Sequence, residues 1–235
     1  MAPNLESILN PTLEMGNFIW TEPVTTLTDF LVALVCLFAV YRFSQIPADK
    51  RRKGVYPLLT GYFILFAIGM TSAAWLGHGF QHYIGPEYKI IGWLCGAAGL
   101  LLLQIASLRL AKNKLGSSVY GILLILFMLE WAVVSFLVIN PSTRSFVVTQ
   151  VNSVIALIIC VAPLQFINFK RNEDLASRAV MIALAYSVIP GLVYSNQISL
   201  GKWFNYHDIS HVLMAGFMFL MYKATSRLAL KKEVT

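Results

Sequence analysis

Seven apolar runs, each near the ~20 residues that a helix needs to cross a bilayer, divide this chain, with short segments rich in Lys, Gly or Pro between them. They cover residues 24–41, 56–76, 90–108, 119–139, 146–166, 176–194 and 209–222. None alternates strictly between apolar and polar residues, as the strands of a membrane barrel do. Within lipid a helix satisfies its backbone hydrogen bonds inside one segment, so each run is expected to be a transmembrane helix. Composition agrees: 57% of the 235 residues are hydrophobic and 12% are charged, about half the charged share of a soluble domain. The expected fold class is an all-α integral membrane protein, a seven-transmembrane-helix bundle. It divides into an extracytoplasmic segment 1–23, the helical domain 24–223 and a basic cytoplasmic tail 224–235. Pro190-Gly191 is expected to kink the sixth helix.

The positive charge fixes the orientation. Fifteen of the eighteen Lys and Arg residues fall on one side of the spans, and only Lys89, Arg144 and Lys202 on the other. The basic side faces the cytoplasm, which places the N-terminus outside and requires an odd number of spans. Confinement of the +7 net charge to loops argues against a nucleic-acid partner. The N-terminal residues show no cleavable signal, so the first span is expected to serve as the targeting signal. Cys36, Cys95 and Cys160 all lie within apolar runs and read as small buried hydrophobes.

Ionisable residues inside a span cost ~2.5–3.5 kcal/mol each near its centre, so their positions carry information. With this topology Asp29, Ser72, His78, His82, Glu130, Asn152, Tyr186, His207, Asp208 and His211 all fall in the outer half of the membrane or at its outer edge, with Glu22 beside them. The inner half holds mainly Gln104. All four histidines of the chain form two pairs, His78/His82 and His207/His211, each four residues apart. On a regular helix that spacing puts both rings on one face. Imidazoles so placed suit zinc, and three of them leave a position open for water. Asp29, Asp208 or Glu130 is then positioned to orient a ligand's second nitrogen or to act as general base.

This pattern resembles the CREST superfamily of seven-helix membrane hydrolases, which includes alkaline ceramidases, adiponectin/progestin receptors and Per1-type proteins. His207-Asp208-Ile209-Ser210-His211 matches its seventh-helix motif. Trp20-Thr21-Glu22, followed by Asp29-Phe30, is similar to the acidic segment that enters the first helix of the ceramidase branch, whose topology this chain shares. The resemblance implies a zinc ion held by three histidines, a serine near the second-helix histidine, a calcium site at Glu22 and a membrane lipid substrate. Two registers fit the second helix: His78 as ligand with Ser72 approximating the serine, or His82 as ligand with His78 in the serine's place. The expected activity is zinc-dependent hydrolysis of a lipid amide or ester with zinc-bound water as nucleophile. The competing expectation is a receptor or sensor in which four protein ligands close a structural zinc site. A retinal protein needs a lysine within the seventh helix, and residues 207–222 contain none.

Overall fold

A computed structural model describes residues 11–172 and 174–231. Residues 1–10 of the expected N-terminal segment and 232–235 of the expected tail lie outside these. Six helices are long and apolar enough to cross a membrane: α1 (Pro23–Ser44), α2 (Tyr56–Gly79), α3 (Pro86–Lys114), α4 (Ser117–Ile139), α5 (Phe146–Lys170) and α6 (Leu175–Ser195). A further helix of the same length, α7 (Tyr206–Leu228), follows. The architecture is that of a helical, multi-pass membrane protein. Its outward surface agrees, because Leu27, Leu31, Leu34 and Phe38 of α1 and Ile122, Ile125, Leu129 and Phe136 of α4 are exposed. Water does not tolerate continuous apolar faces of that extent on a monomer.

The main core lies among α1, α2, α3, α6 and α7, where Val32, Phe43, Leu59, Tyr62, Phe63, Leu103, Leu184, Met218 and Met221 are almost completely buried. The Tyr62 hydroxyl donates to the sulfur of Met218 at 3.3 Å. Close backbone approach joins α2 to α3. A Cβ at Gly69 would stand 3.1 Å from the Gly92 carbonyl, and one at Gly92 would stand 3.0 Å from the Gly69 carbonyl. Small residues permit such contact where lipid supplies no hydrophobic drive between helices.

Apart from the 3₁₀ turns that begin and end α3, three helices depart from α geometry among the described residues, each for a local reason. In α6 the hydrogen-bonded ladder breaks at Ser187. Pro190 lacks the N–H that would bond the carbonyl of Tyr186, one turn earlier, which accounts for an interruption near the expected position. In α5 a π segment, Ile155–Val161, lies over the Ile159 carbonyl that Pro163 leaves without a donor. In α2 the last stretch, Ala73–Gly79, is also π-helical, and the Phe80 N–H bonds the Trp75 carbonyl at 2.7 Å.

The N-terminal segment adds an element that the apolar runs do not announce. Strands β1 (Thr12–Met15) and β2 (Phe18–Thr21) pair antiparallel around Gly16-Asn17. The hairpin lies on the end of α2, with Phe18 against Phe80 and Tyr83 and Trp20 stacked on Trp75. The Ile19 N–H donates to the Tyr83 hydroxyl at 2.7 Å.

The glycine contact yields a stability test. Gly92→Leu should destabilise the purified chain by about 1–3 kcal/mol through overpacking, seen as a lower melting temperature in detergent. Gly96→Leu, where a Cβ meets nothing within 4 Å, should leave the melt unchanged.

Candidate metal centre

Three of the four histidines converge where α1, α2 and α7 meet beneath the hairpin. The ring centroids of His78, His207 and His211 stand 6.4 Å from one another in every pairing. Beside two of them, His78 and His211, lies Asp29, 1% exposed. One of its carboxylate oxygens is 3.2 Å from Nδ1 of His211 and the other 3.6 Å from Nε2 of His78. Neither oxygen has a hydrogen-bond partner among the described residues. Those contacts are within ion-pair range but lack hydrogen-bond geometry. A carboxylate enclosed in that way costs several kcal/mol unless it takes up a proton or a cation faces it.

Each ring is held by its own surroundings. His78 occupies the π segment of α2, and its Nδ1 bonds the carboxylate of Glu22. That bond directs Nε2 toward Asp29, the arrangement by which carboxylates orient metal-ligating histidines. Glu22, the residue before Pro23, is itself in the left-handed region at φ 46°. A non-glycine residue costs of order 1–3 kcal/mol there, and the conformation coincides with the carboxylate that reaches His78. Burial pushes the Glu22 carboxyl up, but the His78 bond and that ring's positive potential outweigh it and hold the group below its ordinary value. The Thr21 hydroxyl donates to the His78 carbonyl at 2.6 Å, satisfying an acceptor at the end of the π segment.

His207 and His211 share one face of α7, as their spacing requires. The helix start is fixed by a capping box: Asn205 accepts from the His207 N–H at 2.8 Å, and Asp208 accepts from the Asn205 N–H at 2.7 Å. The second oxygen of Asp208 accepts from the Thr25 hydroxyl of α1 at 2.7 Å. Asp208 therefore uses both oxygens to pin α7 against α1, and so positions the two histidines. The Thr28 hydroxyl stands 3.4 Å from Nδ1 of His211.

The other expected site residues lie apart. His82 is exposed, its ring edge-on to Tyr83. The π segment ends at Phe80, whose φ of −102° breaks the helix before Gln81–Ile84, so the phase that would set His82 above His78 is lost. Glu130 accepts from Gln104 at 2.7 Å in a crevice between α3 and α4. Ser72 borders an apolar groove between α1 and α2. Glu22, expected at a calcium site, has one carboxylate oxygen engaged by His78. Thr25 and Asn205 were not among the expected residues; Asn205-x-x-Asp208 carries the signature of a capping box, whereas nothing in the sequence pairs Thr25 with Asp208.

The donor set fits a divalent cation chemically, with three imidazoles, one carboxylate without a hydrogen bond and one orienting carboxylate. As they stand, no three His, Cys, Asp or Glu side chains among the described residues are drawn in closely enough to grip one.

The chain belongs to DUF6962, a family of unknown function. The match runs over residues 24–230, which takes in α1 through α7 and all four histidines. No curated protein and no solved structure matches the chain. In this DUF6962 chain the role of Asp208 is directly testable. Asp208→Ala removes a cap and an inter-helix bond and should lower stability by about 2 kcal/mol, read as a fall in melting temperature. Asp49→Ala, in an exposed loop, should leave it unchanged.

Proposed function

We propose that this protein is a zinc-dependent hydrolase of a membrane lipid amide or ester, with its site at the outer leaflet. The observation that carries this reading is the buried Asp29 carboxylate, without a hydrogen bond and against His78 and His211, two of three converging histidines. In this reading the chain spans the bilayer seven times with its N-terminus outside, supported by the distribution of basic residues and by the length of α7. The ceramidase-like motif His207-Asp-Ile-Ser-His211 supports the same reaction class.

His78, His207 and His211 would hold the metal, and its binding would draw the three rings together. Zinc at such a site lowers the pKa of a water and polarises a scissile carbonyl. Glu22 fixes the ring orientation of His78, and Asp208 fixes the start of α7. Asp29, in contact with two of the rings, would accept a proton from the attacking water and return it to the leaving amine or alcohol as the acyl bond breaks. The hairpin covers the end of α2 and limits access from the aqueous side. The groove between α1 and α2, about 290 Å³ and lined by Leu37, Val40, Ile64, Ala67, Ile68, Thr71 and Ser72, supports lateral entry of an acyl chain. Its polar end is six residues before His78.

A closed structural site is the competing reading, because Asp29 lies close enough to two rings to serve as a fourth ligand. Elemental analysis and turnover of fluorescent N-acyl and O-acyl lipids separate the two. About one zinc per chain is expected, lost in His78→Ala, His207→Ala and His211→Ala but retained in His82→Ala. Asp29→Asn should retain folding and lose turnover. Bound zinc without turnover of either lipid class favours the structural site. Absence of zinc from purified protein, with no effect of His211→Ala, would refute both.

A further inference from the structure

The end of the bundle opposite the histidines carries a second polar recess. The loop between α1 and α2 is fixed there by backbone pairing with the end of α7. The Arg52 N–H donates to the Ala229 carbonyl at 2.7 Å, and the Lys231 N–H to the Lys50 carbonyl at 2.9 Å. The basic residues gathered in this way are used differently. Arg51 spends its guanidinium on the carbonyls of Ile46 and Ser44 and lies over the Tyr56 ring. Arg109 donates to the Gly54 carbonyl at 2.7 Å.

Arg52 and Arg227 do neither. Both line a cavity of about 350 Å³ bounded by the first turn of α6 and the end of α7. Among the described residues neither guanidinium has a hydrogen-bond acceptor. Burial pushes the half-buried Arg52 group below its ordinary value, and Asp174 counteracts that. Asp174 also caps α6 by accepting from the Ala176 N–H at 3.0 Å. Among the described lining residues two guanidiniums stand with the one carboxylate of Asp174, and Leu175, Leu228 and Leu230 form an apolar wall.

Planar N–H forks of this kind match the oxygens of phosphate bidentately, and the volume is that of a small-molecule site. We propose that this recess binds a phosphate group through Arg52 and Arg227, carried by an anionic lipid headgroup or supplied as free phosphate. Basic pockets between spans on the cytoplasmic side suit the headgroup source, with the apolar wall against its glycerol and acyl chains. The inference rests on the membrane-embedded orientation proposed above and not on the hydrolase reaction.

The test uses the full chain extracted from membranes in detergent. Recovery without detergent would contradict the membrane reading itself, leaving the phosphate titration to decide the recess. Phosphatidic acid, diacylglycerol with the same acyl chains, and inorganic phosphate are titrated separately, with lipid binding read by native mass spectrometry and phosphate binding by calorimetry. Phosphatidic acid should bind in preference to diacylglycerol. Arg52→Gln and Arg227→Gln should each weaken it by about tenfold, and Lys53→Gln, the same charge loss at an exposed neighbour, by less than about twofold. Where a Gln variant does not yield folded protein, Arg52→Lys keeps the charge and should still weaken binding by removing the fork. Binding confined to phosphatidic acid assigns the headgroup, and binding of inorganic phosphate with the same variant pattern assigns free phosphate. The proposal is overturned by no preference over diacylglycerol together with no phosphate binding, or by equal losses in Arg52→Gln and Lys53→Gln.

Discussion

Asp29 is buried in the first turns of a membrane-type helix without a hydrogen-bond donor, and much of the surrounding structure keeps the imidazoles of His78 and His211 beside it and that of His207 close to both. A left-handed residue turns Glu22 onto His78. A capping box and the Thr25 hydroxyl lock α7 so that His207 and His211 face the same point. The aromatic hairpin, with Trp20 on Trp75, closes over the end of α2. Left alone, such a carboxylate destabilises the fold by several kcal/mol. The proposed metal offsets that cost and supplies the proposed chemistry with the same charge.

Departure from α geometry is concentrated where a helix interior must be reshaped without exposing backbone to lipid. The π segments in α2 and α5 keep most carbonyls bonded within the helix, which an open loop at membrane depth does not. In α2 the wider turn places His78 inward, and Thr21 takes up the carbonyl at its end. π-helical turns are frequent at functional sites for this reason. The strain at Glu22 and the π turn at His78 meet at a single hydrogen bond.

The spans were legible because an apolar run of sufficient length has few alternatives in this composition. The expected seventh is not among the six helices long and apolar enough to cross a membrane. Its apolar stretch, 209–222, is shorter than the helix Tyr206–Leu228, whose ends carry His207, Asp208, Lys223 and Arg227. The meeting of Glu22, Asp29, His78, His207 and His211 at one end of the bundle was legible too, since each lies at the matching end of its helix. Azimuth was not. Helices that are apolar all round carry no phase, so nothing in the sequence separated Glu130, which faces Gln104, from Asp29, which faces the histidines. The His78/His82 pair misled for a related reason: a four-residue spacing defines one face only while the helix stays regular, and Phe80 ends it. The hairpin was hidden because its two strands of four residues give too short an alternation to stand out. Asp208 was visible as polar and well placed, but its capping function is read from Asn205 three residues earlier.

X-ray absorption at the zinc edge on the purified chain tests the central claim most directly, because it reports the ligand atoms themselves. A first shell of three imidazole nitrogens and oxygen is expected, unchanged in His82→Ala and lost together with the zinc in His78→Ala. A shell containing sulfur, or one that loses an imidazole in His82→Ala while His78→Ala leaves it intact, would contradict the account.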